Sequence, residues 1–85
     1  MIDFEEFRPI LNDVMEKIKH SIIKHGDWSG YSVADVFDKV AGEFDEYREA
    51  YVAEVLAGKH GQIDELSDVI VTAIKGIRRL KCLQR

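Results

Sequence analysis

Four acidic residues carry the clearest chemical signal in this chain. They form two acid-x-x-acid pairs, Glu43 with Glu46 and Glu65 with Asp68. A step of three residues turns an α-helix by ~300°, so the members of each pair lie ~60° apart on one face. If the helices that carry them pack antiparallel, the four carboxylates converge on one point between them. Carboxylates that close repel one another, and hard cations such as Mg²⁺, with Mn²⁺ as a substitute, take oxygen ligands of this kind. Taken alone, a Glu-x-x-Glu on a helix is more often a solvated face. Here each pair borders apolar residues: Glu43 lies one turn from Val40 and Tyr47, and Glu65 and Asp68 border Leu66 and Val69. Desolvation at the edge of a core penalises such a pair, and a bound divalent ion offsets that cost.

Cations follow on the same faces. Continuing from Glu65 and Asp68 by steps of four and three leads to Thr72, Lys75 and Arg79, and Lys39 sits one turn before Glu43. Lys and Arg beside a carboxylate–metal cluster suit a polyphosphate, which needs metal on one side and cations for its remaining oxygens. The same residues can also simply balance neighbouring acids or a helix end. Trp28, in the loop before the central helix, can stack on a base or plug the end of a small core. Glu49 follows Glu46 by three and is a weaker candidate for the same site. His20, His25, His60 and Cys82 show no zinc-site spacing, and no Ser–His–Asp arrangement is suggested. Gly58 and Gly61 lack the strand and Gly-rich turn of a phosphate-cradling loop.

Three helices must position these groups. In the first, Phe4, Phe7, Leu11, Val14, Ile18 and Ile22 recur at steps of three and four. Asp3 and Glu6 can form a capping box there, or the regular helix begins near Pro9 after an irregular first turn. The second helix starts at Ser32, a good N-cap with Asp35 three residues on. Its stripe of Val33, Phe37, Val40, Phe44, Tyr47, Tyr51 and Val55 predicts a helix running to Gly58, on the order of 36 Å long. The third opens after Gly61, with Leu66, Ile70, Ala73, Ile77 and Leu80 as its core face. Its end is basic, with Lys75, Arg78, Arg79, Lys81 and Arg85, which complements the helix dipole. The expected fold is all-α, three antiparallel helices in a single domain over residues 1–85. Val69, Val71 and Tyr51 lie off the main seams, and both later helices are long for so small a chain. Pairing of chains into a four-helix-type bundle, a dimer or dimer of dimers, covers that excess.

The bulk properties exclude several classes. No apolar run approaches the ~20 residues of a membrane span, and the N-terminus lacks the pattern of a signal peptide. The single cysteine fits a reducing, cytoplasmic setting. A net charge of −4 argues against a nucleic-acid partner.

The order Glu-x-x-Glu, 18 residues, then Glu-x-x-Asp, set in VAGEFDEYREA and GQIDELSDVIVTAIKGI, resembles the MazG-like all-α nucleoside triphosphate pyrophosphohydrolases. The resemblance covers about residues 24–80, including the HGDWSGYSVADV lead-in. Gly42 is a departure, since many members carry an acid there. The resemblance implies that Glu43, Glu46, Glu65 and Asp68 are the ligands of Mg²⁺ in an oligomeric bundle. It also implies hydrolysis of a nucleoside triphosphate to the monophosphate and pyrophosphate, a reaction that can clear non-standard nucleotides. Lys75, Arg79, Lys39 and Trp28 are the expected substrate contacts. A non-catalytic helical oligomerisation or regulatory module that keeps the fold is the rival expectation.

Overall fold

Local signals at the helix starts operate as the chain's chemistry predicts. In a computed structural model, which describes residues 1–84, Asp3 caps a 3₁₀ turn over Phe4–Phe7 by accepting from the Glu5 amide. Helix α1 follows as Arg8–His25, with Pro9 in its first turn, where no amide is needed. The irregular-turn reading of this end is therefore the correct one. Helix α2, Val33–Val52, begins with a complete capping box: Ser32 Oγ accepts from the Asp35 amide, and Asp35 accepts from the Ser32 amide. Helix α3 spans Gln62–Gln84, and no strand occurs among the described residues. Arg85, counted above with the basic cluster, lies outside them.

Helix α2 ends earlier than its apolar stripe predicts, at Val52 instead of near Gly58. Glu54 turns into the left-handed region (φ 59°), followed by Gly58 (φ 87°) and His60 (φ 64°). The connector then folds back onto the start of α3, where the Gln62 and Ile63 amides donate to the carbonyls of Val55 and Leu56. Its local hydrogen bonds satisfy backbone groups that a longer helix would have satisfied along its axis.

Successive helices run antiparallel. Helix α3 packs along α2 and also against α1, whereas no Cα pair brings α1 within 8 Å of α2. The first and second helices therefore stand as two walls over the third. Gly76 lets α3 lie close against the start of α2, because a Cβ there would lie 2.9 Å from Val36 Cγ1. A side chain at this position would force apart α3 and the start of α2.

The faces are turned opposite to what the periodicity alone suggests. The side of α3 that is buried within the chain carries Glu65, Val71, Thr72, Lys75 and Gly76. The apolar stripe Ile63, Leu66, Ile70, Ile74, Ile77 and Leu80 stays 39–66% exposed. On α2 the same division holds: Val36 and Ala50 are buried, while Val33, Phe37, Phe44 and Tyr51 are open. The expected core faces are thus not the core of the single chain. The total accessible surface is 6676 Å², about 1,500 Å² above the ~5,200 Å² expected for a compact monomer of this mass. No helix among the described residues is long and apolar enough to cross a membrane.

Candidate metal centre

Glu43 sits seven residues from Val36 on one side and from Ala50 on the other, which places it on the inner face of α2. Glu46 lies one turn further on. Antiparallel pairing brings both opposite Glu65 of α3. Carboxylate oxygens of Glu43, Glu46 and Glu65 lie within 4.8 Å of one another. Glu65 is only 3% exposed, and its Oε2 is buried without any hydrogen-bond partner. Its Oε1 lies 3.0 Å from His60 Nδ1. Buried polar atoms are nearly always paired, and an unpaired carboxylate oxygen costs more than a neutral one. Hard divalent cations take oxygen ligands of this kind.

Three of the four predicted ligands are therefore brought together. The fourth, Asp68, is adjacent but outside that trio, held by Lys17 Nζ at 3.5 Å. The same lysine reaches Asp64 at 3.0 Å, and Asp64 Oδ2 accepts from the His60 amide. His60, Asp64 and Glu65 form a second group with ligand atoms within 4.8 Å. Sequence reading missed Lys17, Asp64 and the approach of His60. No periodicity could reveal Lys17, which sits on a different helix 47 residues before Asp64. For His60, the left-handed backbone that turns it toward Glu65 leaves no trace in residue type.

Charge crowding shows in the acidities. Burial, followed by the charges of Glu46, Asp68 and Glu65, pushes the Glu43 carboxyl up to about 7. Burial also raises Asp68, against the pull of Lys17. A carboxyl whose folded value exceeds its unfolded value keeps a proton better in the native state. Its contribution to stability is therefore lost as pH rises from about 4.5 through about 7. Without metal, the melting temperature should fall across this window by roughly 4–8 °C, taking ~1 kcal/mol after discounting for solvent screening. Glu43→Gln should flatten the profile. A metal-free wild-type melting temperature that rises from pH 5 to 8 would contradict the crowding.

Beyond the acids, the space between α1 and α2 forms a cleft floored by α3. One part, about 350 Å³, has Lys17, Glu43, Asp68 and Thr72 in its lining; an adjoining part, about 330 Å³, includes Glu43, Lys39, Trp28, Tyr31 and Lys75. Lys75 is buried, and its Nζ donates to Ser21 Oγ at 2.7 Å. Lys39 Nζ stands 5.9 Å from the centroid of the Tyr31 ring. Arg79 Nε donates to the Tyr31 carbonyl at 2.8 Å, so it fastens the 26–31 loop to α3. Trp28 is 6% exposed and stacks on Tyr31 at 5.0 Å. It forms a wall of the cleft with its ring already covered. Glu49 lines a separate cavity of about 390 Å³ beside Glu46, His60 and Glu65.

Compared with known protein families, with curated proteins and with solved structures, the chain matches none.

Proposed function

We propose that the chain is a Mg²⁺-dependent nucleoside triphosphate pyrophosphohydrolase of the MazG-like kind, working as a homo-oligomer. The observation that carries this reading is the trio of Glu43, Glu46 and Glu65, in which the Glu65 Oε2 is buried and unpartnered and Glu43 lines a cationic cleft. Glu43, Glu46 and Glu65 would hold the ion. Asp68 lies outside the trio, with its Oδ1 3.5 Å from Lys17 Nζ, and would have to move to join them. When bound, Mg²⁺ or Mn²⁺ neutralises phosphate charge and lowers the pKa of a coordinated water.

The chain's own groups divide the remaining work. Lys75 and Lys39 lie along the cleft from Glu43 and would neutralise oxygens of the departing pyrophosphate. Arg79 acts indirectly, by holding the loop that carries Trp28 and Tyr31. Burial and acidic neighbours push the Glu43 carboxyl up to about 7, so it would give up its proton as a cation binds, because a ligating carboxylate must be deprotonated. Only through a bound cation would the clustered carboxylates hold a phosphate chain, from the side, and the Gly-rich cradle of terminal phosphate transfer is absent from the sequence. The bond broken is therefore the one between the first and second phosphorus.

Phosphorus NMR of a nucleoside triphosphate panel with Mg²⁺ tests this directly. Monophosphate and pyrophosphate are expected, with no diphosphate intermediate. Accumulation of diphosphate and orthophosphate would refute the bond assignment. No turnover of any nucleotide would leave a non-catalytic helical assembly module as the better reading.

A further inference from the structure

Lys75 is the only buried cation among the described residues. No carboxylate oxygen of those residues lies within ion-pair distance of its Nζ. Its neighbours are the Ser21 hydroxyl at 2.7 Å and the Trp28 ring, whose centroid is 4.6 Å away. An ammonium taken out of water needs a counter-charge, and a hydroxyl with an aromatic face supplies only part of one. Lysine offers three donors, so Ser21 leaves two for another partner. Ser21 Oγ accepts from Lys75, which frees its own O–H to donate in turn. Lys39 lines the same cleft and adds a second positive charge. Burial, and then Lys39, disfavour the charged form of Lys75, with Asp27 opposing them weakly. An anion between the two lysines would reverse that balance.

We propose that the part of the cleft enclosed by α1, the 26–31 loop and α3 is an oxyanion subsite, where the Lys75 ammonium and the Ser21 hydroxyl hold pyrophosphate. The choice of pyrophosphate over other oxyanions rests on the function proposed above. The charge and donor arrangement stands without it. Glu43 lines the same cleft and repels a phosphate end, so the distal phosphates belong at Lys75 and the reacting end beside the acids. The subsite needs no metal, because its donors come entirely from the chain. Free pyrophosphate should occupy it and compete with substrate as a retained product.

The probe is built in. Trp28 is the only tryptophan, and Lys75 sits over its ring. An anion that neutralises Lys75 changes the field at the indole and shifts its emission. The experiment titrates full-length protein in EDTA with pyrophosphate, following Trp28 fluorescence and heat, at constant ionic strength set by potassium chloride. A saturable shift is expected, tighter for pyrophosphate than for inorganic phosphate. Lys75→Met should weaken binding by at least ~10-fold. Ser21→Ala, which removes one oxygen and little packing volume, should weaken it by roughly 3-fold or more when titrated well below its melting temperature, which should fall modestly because Lys75 loses its hydroxyl partner. Calorimetry without saturable heat in wild type, or equal affinity in wild type and both variants, would overturn the subsite. Nucleotide turnover without pyrophosphate binding would sink this inference alone. Saturable binding by a protein that hydrolyses no nucleotide would uphold it and sink the enzymatic reading.

Discussion

Replacing Glu65 by glutamine should lower turnover by about three orders of magnitude and erase the thermal stabilisation that Mg²⁺ gives. Ion-derived stabilisation of transition-state charge is worth several kcal/mol, and ~4 kcal/mol corresponds to about three decades in rate. For wild type, metal at a hundredfold excess over its dissociation constant should add ~2.7 kcal/mol to stability. Glutamine keeps the shape and can still accept from His60, but it removes the charge at the most buried of the three acids. The sign then reverses without metal. Glu65 carries a buried, unpartnered oxygen among like charges, so the metal-free variant should melt above metal-free wild type. Thermal melts with and without Mg²⁺, beside initial rates, measure both effects. A Glu65→Gln protein with the wild-type metal shift would remove this residue from the ligand set.

The second large effect concerns assembly. The excess of about 1,500 Å² of accessible surface falls in the range that one partner buries in an obligate dimer, on the order of 1,000–2,500 Å². Its apolar part runs along the outer stripe of α3 and the open face of α2, the kind of faces that pair into a bundle seam. Ile74, 41% exposed in the single chain, lies within that stripe. Ile74→Glu places an unpaired charge in the seam, at an expected ~3–5 kcal/mol, or a dissociation constant raised by about 10²–10⁴-fold. Sedimentation over a wide dilution range should show wild type as a dimer or dimer of dimers and the variant as monomer. A folded wild-type monomer at micromolar concentration would overturn the assembly.

Where the sequence is legible, local chemistry explains why. The Ser32–Asp35 box and Pro9 at the start of α1 are short-range devices, decided by groups within one turn, and they act as their types predict. The end of α2 is not legible, because Glu54 and His60 take left-handed conformations that neither residue type advertises. Periodicity identifies which residues share a face but not what covers it. Thus Ile70 and Ile77 belong to one stripe, as their spacing says, yet that stripe points away from the chain's own interior. The carboxylate trio is readable because each pair is local and only one helix pairing is needed to join them. Asp68 departs from it because Lys17 arrives from another helix. Lys75 and Arg79 share a helix face but differ in role. The first faces the cleft, while the second fastens a loop 48 residues earlier in the chain.

The standing-apart of α1 and α2 bears on the order in which the chain assembles. Helices α2 and α3 are joined by nine residues and meet along their length, so their pairing closes a short loop at small entropic cost. Helix α1 touches only α3, beyond its own leading turn, and its grip depends on contacts some fifty residues apart, such as Lys17 with Asp64 and Ser21 with Lys75. Such a helix is the natural late-docking and first-opening unit of the molecule. The carboxylate trio lies wholly within the α2–α3 hairpin, whereas the Ser21–Lys75 contact spans the later junction. A chain in mid-folding, or one whose first helix has momentarily lifted away, would therefore have the proposed cation site formed while the proposed anion subsite is still open.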